Sequence, residues 1–177
     1  MYIKNHGGKR DMDAKEIISC IADKDSVKES FGRKGNLDGF LFTGSADSDA
    51  GFNFGYLMYV PPELRDKPVL IVEGPSVGEV GPIDRACEII YDKALFELSG
   101  SGFPHHLAKE LQCPIIMPLF SRPEDKENNT NIFTHALTSK AMAVRDSSIE
   151  RTDLQLIAMF QDIKRRFPMP ESRFMIN

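Results

Sequence analysis

Residues Gly74-Pro75-Ser76-Val77-Gly78 fit the pattern G-x-S-x-G, in which a serine hydroxyl is presented for attack on a carbonyl carbon. The pentapeptide follows Pro68-Val69-Leu70-Ile71-Val72, an apolar run without alternation that reads as a buried strand. A working nucleophile elbow turns sharply from strand straight into helix, so that the serine oxygen stands over the helix N-terminus. Here Glu79-Val80-Gly81-Pro82 intervenes and the helix opens later, which argues against Ser76 as a nucleophile. A glycine-rich loop after a strand also has the form of a phosphate cradle. No Lys-Ser/Thr pair and no third fingerprint glycine follow in register, so that reading is weak too.

The remaining chemistry-bearing residues are few. Adjacent residues on a helix point about 100° apart, so His105-His106 is a poor ligand pair and is expected as a partly exposed pair at a helix start. His135, within Phe133-Thr134-His135-Ala136-Leu137, lies in a long polar stretch after a strand. That is the side on which open α/β sheets bind ligands, which makes His135 a ligand-side candidate. Glu73 and Asp84 flank the loop after the central strand, and Asp84 is explained by a helix N-terminus favouring a carboxylate. Cys20, Cys87 and Cys113 lack metal-ligand spacing and read as core thiols in a reducing compartment. No metal site and no cofactor site is expected.

These residues are positioned by a regular order of elements. Ala14–Ala22 forms a short amphipathic helix with Asp13 as its N-cap. Phe40–Gly44 and Phe52–Val60 are aromatic and β-prone, and the linker Ser45–Gly51 between them is turn chemistry. They are expected as an antiparallel pair at a sheet edge, stopped by Pro61-Pro62. Pro82 opens a helix whose apolar positions run Ile83, Ala86, Cys87, Ile90, Tyr91, Ala94, Leu95, Leu98. Ser99-Gly100-Ser101-Gly102 ends it. A short helix from about Pro104 to Gln112 precedes a strand at Pro114–Phe120. Thr152 and Gln155 have the spacing of a capping box ahead of a helix from Arg151 to Phe167, and Arg173–Asn177 reads as a last buried strand. Strands alternating with helices imply an α/β fold, a mostly parallel sheet with helices on both faces in three layers. Residues 1–35 form an N-terminal helical extension and residues 36–177 the α/β domain.

Composition narrows the functional classes. At 177 residues, 41% hydrophobic and 27% charged, the chain has the make-up of one globular domain. A net charge of −4 argues against a nucleic-acid surface, which needs a concentrated basic patch. The one basic run, Lys164-Arg165-Arg166, falls in the last turn of a helix, where cations suit the dipole. The N-terminus lacks an apolar signal region, and no stretch approaches the roughly 20 apolar residues of a membrane span. A cytoplasmic location is expected.

Taken in order, these segments resemble part of an α/β-hydrolase, of the bacterial esterase and polyhydroxybutyrate-depolymerase type. The resemblance is carried by Gly55–Pro61, Val69–Pro75, Pro114–Pro118, Phe133–Leu137 and Arg151–Met159, and it runs from about Gly39 to Asn177. It implies that Arg173–Asn177 is the strand entering the nucleophile elbow. The nucleophile, the acid and the general-base histidine are then expected after Asn177, and residues 1–177 are catalytically incomplete alone. The resemblance also implies that the loop after the central strand supplies one oxyanion-hole N–H, with Gly74, Ser76 and Val77 as candidates. Pro75 has no N–H, which favours Ser76 or Val77. Where many relatives carry His-Gly, this chain carries Glu73-Gly74. The implied substrate, for the full-length relative, is a small-molecule ester. Phe174-Met175-Ile176, an apolar edge strand with nothing to cover it, is expected to drive self-association or to pair with a complementary C-terminal half. The alternatives are a non-catalytic binding or interaction module, and a small-molecule-binding α/β domain using the Gly74–Gly81 loop.

Overall fold

Strand β1 (Phe40–Gly44) and strand β2 (Tyr56–Val60) are built from the aromatic and branched residues that suit a pleated, buried surface. They pair antiparallel, with Phe42 opposite Met58 and Gly44 opposite Tyr56. The computed structural model describes residues 39–66, 68–74, 83–120, 151–166 and 174–176, together with positions 139 and 143. Between the two strands Asp47 and Phe52 exchange backbone hydrogen bonds, and Asp47 Oδ1 accepts from the Ala50 N–H at 2.9 Å. The linker is thus an Asx-type turn, and Gly51 supplies its positive φ of 99°. Phe52 leaves the strand direction and is fully buried, so β2 begins four residues later than its aromatic run suggests.

The sheet continues through β3 (Leu70–Val72), β4 (Ile115–Pro118) and β5 (Phe174–Ile176), in the order β1-β2-β4-β3-β5. The expectation of an antiparallel pair joined to parallel strands holds with one refinement. β2 is also antiparallel to β4, so only β4, β3 and β5 run parallel.

Among the described residues three helices cover the sheet. Helix α1 (Ile83–Phe96) passes into a wide turn at Glu97–Ser101, and helix α2 (Phe103–Leu111) follows at once. Gly102 joins them because a Cβ there would lie 2.4 Å from the Glu97 carbonyl oxygen. Pro104 sits in the first turn of α2, where its missing N–H is harmless. The helix closes in a Schellman arrangement, with the N–H of Gln112 bonded to Lys109 O and that of Cys113 to Ala108 O. Helix α3 (Thr152–Arg166) precedes β5.

Side-chain alternation divides the core into two layers. Leu57, Tyr59, Ile71, Ile115 and Met117 face Ala94, Leu98 and Ala108 on one side of the sheet. Tyr56, Met58, Val60, Leu70, Val72 and Ile116 face Leu156, Met159, Phe160 and Ile163 of α3 on the other. The architecture is α/β/α. Its helices lie on opposite faces because the two crossovers run in opposite directions: β3 to β4 one way, β4 back across β3 to β5 the other. Right-handed crossovers of opposite direction require that placement.

Candidate active-site edge

The reversal of direction at β3 defines a switch point, and open α/β sheets bind ligands beyond the C-terminal ends of strands at such a point. Three strands end there. β3 ends at Val72 and leads into Glu73-Gly74, β4 leads into Leu119-Phe120, and β5 ends at Ile176. β2 starts on the same edge, since Tyr56 lies opposite Pro118. The linker of residues 45–55 therefore belongs to this edge too. It is fastened by the Leu119 N–H donating to Gly55 O at 2.9 Å and by an edge-to-face contact of Phe54 with Phe120, centroids 5.8 Å apart.

Hydrogen bonding fixes which backbone groups the edge can offer. Ile71 donates its N–H to Pro114, just before β4, at 2.9 Å, and Glu73 donates to Ile116 on β4 at 3.0 Å. The residues between them carry the alternate register toward β5, with Leu70, Ile71 and Val72 opposite Phe174, Met175 and Ile176. Gly74 falls in that alternate register, on the β5 side, and is half-buried. Ser76, Val77 and His135 lie outside the described residues, so of the predicted loop candidates only Gly74 is placed. Asp84 lies in α1.

The histidine pair departs from expectation. His105 is buried rather than partly exposed, and only His106 is exposed. His105 Nδ1 lies 2.9 Å from the Leu98 carbonyl, and its ring packs on Tyr59 with centroids 4.5 Å apart. It ties α2 to the wide turn before it. The two residues face different surroundings, as adjacent helix positions must.

Sequence reasoning missed the polar ties beneath the edge. Tyr56 and Asp162 form a buried hydrogen bond at 2.8 Å. Burial, then the Asp162 carboxylate, pushes the Tyr56 hydroxyl above its ordinary range. Arg165 and Arg166, read from sequence as helix-end cations, both reach Asp162 as well. Gln155, read as half of a capping box, directs its Oε1 to the Asn53 N–H at 2.9 Å and so pins the 45–55 linker to α3. At the head of that helix an exposed Asp153 is held below the usual carboxylate range, chiefly by its hydrogen bond from Arg151.

Among the described residues no group of three or more His, Cys, Asp or Glu side chains could hold a metal ion, and no helix is long and apolar enough to cross a membrane. What the described part of the edge presents is the Gly74 backbone beside the end of β5, above a packed Phe54–Phe120 pair in which Phe120 is buried. No family model, no curated protein and no solved structure matches the chain.

Proposed function

We propose that residues 39–177 form the sheet portion of a serine-esterase-like α/β-hydrolase, with β5 leading into the nucleophile elbow. One observation carries this reading: β5 pairs directly with β3, parallel and with Ile176 opposite Val72. An oxyanion hole draws one N–H from the residue after the nucleophile and one from the loop after the third strand. Those two backbones must therefore stand side by side, and neighbouring strands about 4.8 Å apart bring them there. Glu73 commits its N–H to β4 and Pro75 has none, which leaves Gly74, Ser76 or Val77 as the loop's donor. Gly74 is favoured by its register toward β5.

On this reading the serine follows Asn177, and residues 1–177 supply ligand-binding surface and half of the oxyanion hole. A triad works as a unit, so these residues alone do not turn over an ester. The ester-specific groups would come from the segment after β5 and from the loop carrying His135. The nucleotide sequence downstream of codon 177 tests the proposal. A Gly-x-Ser-x-Gly within the first few codons, in any frame, is expected. Its absence from all three frames would contradict the hydrolase reading and favour a binding module built on the same sheet.

A further inference from the structure

Residues 45–55 join β1 to β2, although a far shorter connection serves an antiparallel pair. The ends of this loop meet, since Gly44 lies opposite Tyr56. Its middle packs on its own side chain Phe52, which is fully buried and leans on the Tyr56 ring with centroids 6.2 Å apart. Closed ends and internal packing make it an Ω-loop, a kind of loop that is frequently functional.

The loop is also held from outside. Gln155, a buried amide on α3, accepts the Asn53 backbone N–H at 2.9 Å. Gly51 lies against the same helix, where a Cβ would stand 3.4 Å from the Ala158 methyl. On the other side Gly55 O takes the Leu119 N–H, and Phe54 meets Phe120 edge to face. Helix α3 and the segment after β4 thus clamp the loop between them. Tyr56 is paired with Pro118 on β4, and Val72 with Ile116 two residues earlier. The loop therefore stands two strands, about 10 Å, from the end of β3. An aryl ester can cross that span.

We propose that loop 45–55 is a preformed wall of the ligand site and that Gln155 is its positioning residue. The proposal rests on the reading of this edge as the ligand side of an ester hydrolase. Gln155 acts through the Asn53 backbone and not on the ligand. A loop ordered during folding adds no ordering cost when a ligand binds beside it. Loss of the Gln155 acceptor removes one tie and lets the middle of the loop shift against β3, while Phe52 and the sheet stay in place.

The probe is phenyl butyrate, titrated into the nitrogen-15-labelled 177-residue chain and followed by amide chemical shifts. Amides of the loop should shift together with those of residues 72–74. Gln155→Met keeps the length and bulk of the side chain and removes the acceptor. It should speed hydrogen exchange at the Asn53 N–H and raise the Kd for the ester, each by about threefold to tenfold, the worth of one hydrogen bond. Ile163→Val lowers stability from the buried face of the same helix and should leave the Kd unchanged. Shifts at residues 72–74 with none in the loop would overturn the wall and leave the hydrolase reading standing, whether or not the variant folds. An unchanged Kd in folded Gln155→Met, or an equal weakening by Ile163→Val, would overturn the role of Gln155. Shifts in neither segment would overturn both the wall and the ligand edge. Loop shifts accompanied by cleavage of the ester would uphold the wall and contradict the placement of the nucleophile after β5.

Discussion

The Tyr56 hydroxyl donates a 2.8 Å hydrogen bond to Oδ2 of Asp162, a buried carboxylate 106 positions away. The same carboxylate receives Arg166 Nε at 2.8 Å and Arg165 at 3.2 Å. The bond joins the start of β2, on the proposed catalytic edge, to the last turns of α3. Tyr56→Phe keeps the ring and removes the donor, and should cost about 1.5–3 kcal/mol, as for hydrogen bonds to charged groups. Urea unfolding at neutral pH measures it.

The same pair sets a pH dependence. Burial, with Asp162 beside it, raises the folded-state pKa of Tyr56 above its unfolded value. The neutral phenol is thus favoured by folding, and its contribution is complete below the unfolded pKa. It is lost as pH rises above about 10, where the unfolded chain ionises. The wild-type chain should lose more stability between pH 9 and pH 11 than Tyr56→Phe does, by about the 1.36 kcal/mol per unit that linkage allows at most. Parallel curves for the two proteins would show that Tyr56 is not the group responsible.

Gly44 is required by the same ring. A Cβ at Gly44 would lie 2.1 Å from Tyr56 Cε1 and 2.2 Å from Cζ. Gly44→Ala should destabilise by about 1–3 kcal/mol, the usual cost of overpacking. Most of that cost should disappear in a Tyr56→Ala background, so a double-mutant cycle would show strong coupling. Additive effects would mean that the ring is not the obstacle.

Backbone strain is readable at Gln112, which ends α2 with φ 51°. Left-handed backbone costs a non-glycine residue roughly 1–2 kcal/mol. Gln112→Gly should therefore raise stability by up to about 1 kcal/mol once the added freedom of the unfolded chain is subtracted. A lowered melting temperature would contradict this.

Much of the fold was legible because its signals are local. Phe40–Gly44 and Tyr56–Val60 carry aromatic strand chemistry, and Ile83–Leu98 repeats its apolar positions at helical spacing. The Asp47–Ala50 turn is written in residue type. Asp162 was not legible: in sequence it is one more acidic residue ahead of a basic run, and only the packing of α3 on β2 brings Tyr56 to it. Likewise nothing about Gln155 points to Asn53, 102 positions away. The edge as a whole was legible from the order of elements, and the register that turns Gly74 toward β5 came from the hydrogen bonds of β3. Ser76, Val77 and His135 fall outside the described residues.

The β3–β5 register predicts a cross-link. Val72 and Ile176 are opposed across strands about 4.8 Å apart, within the span of a disulfide. Val72→Cys with Ile176→Cys, in a chain whose native cysteines are replaced by serine, should oxidise readily. Failure to do so in a folded protein would remove the juxtaposition on which the oxyanion-hole reading rests.

The central claim is that this edge belongs to a serine hydrolase whose nucleophile follows β5 rather than being Ser76. Turnover of a p-nitrophenyl ester by the purified 177-residue chain, beside its Ser76→Ala variant, tests it most directly. The account predicts that both proteins hydrolyse the ester no faster than background. Robust turnover that Ser76→Ala abolishes would contradict it and make Ser76 the nucleophile.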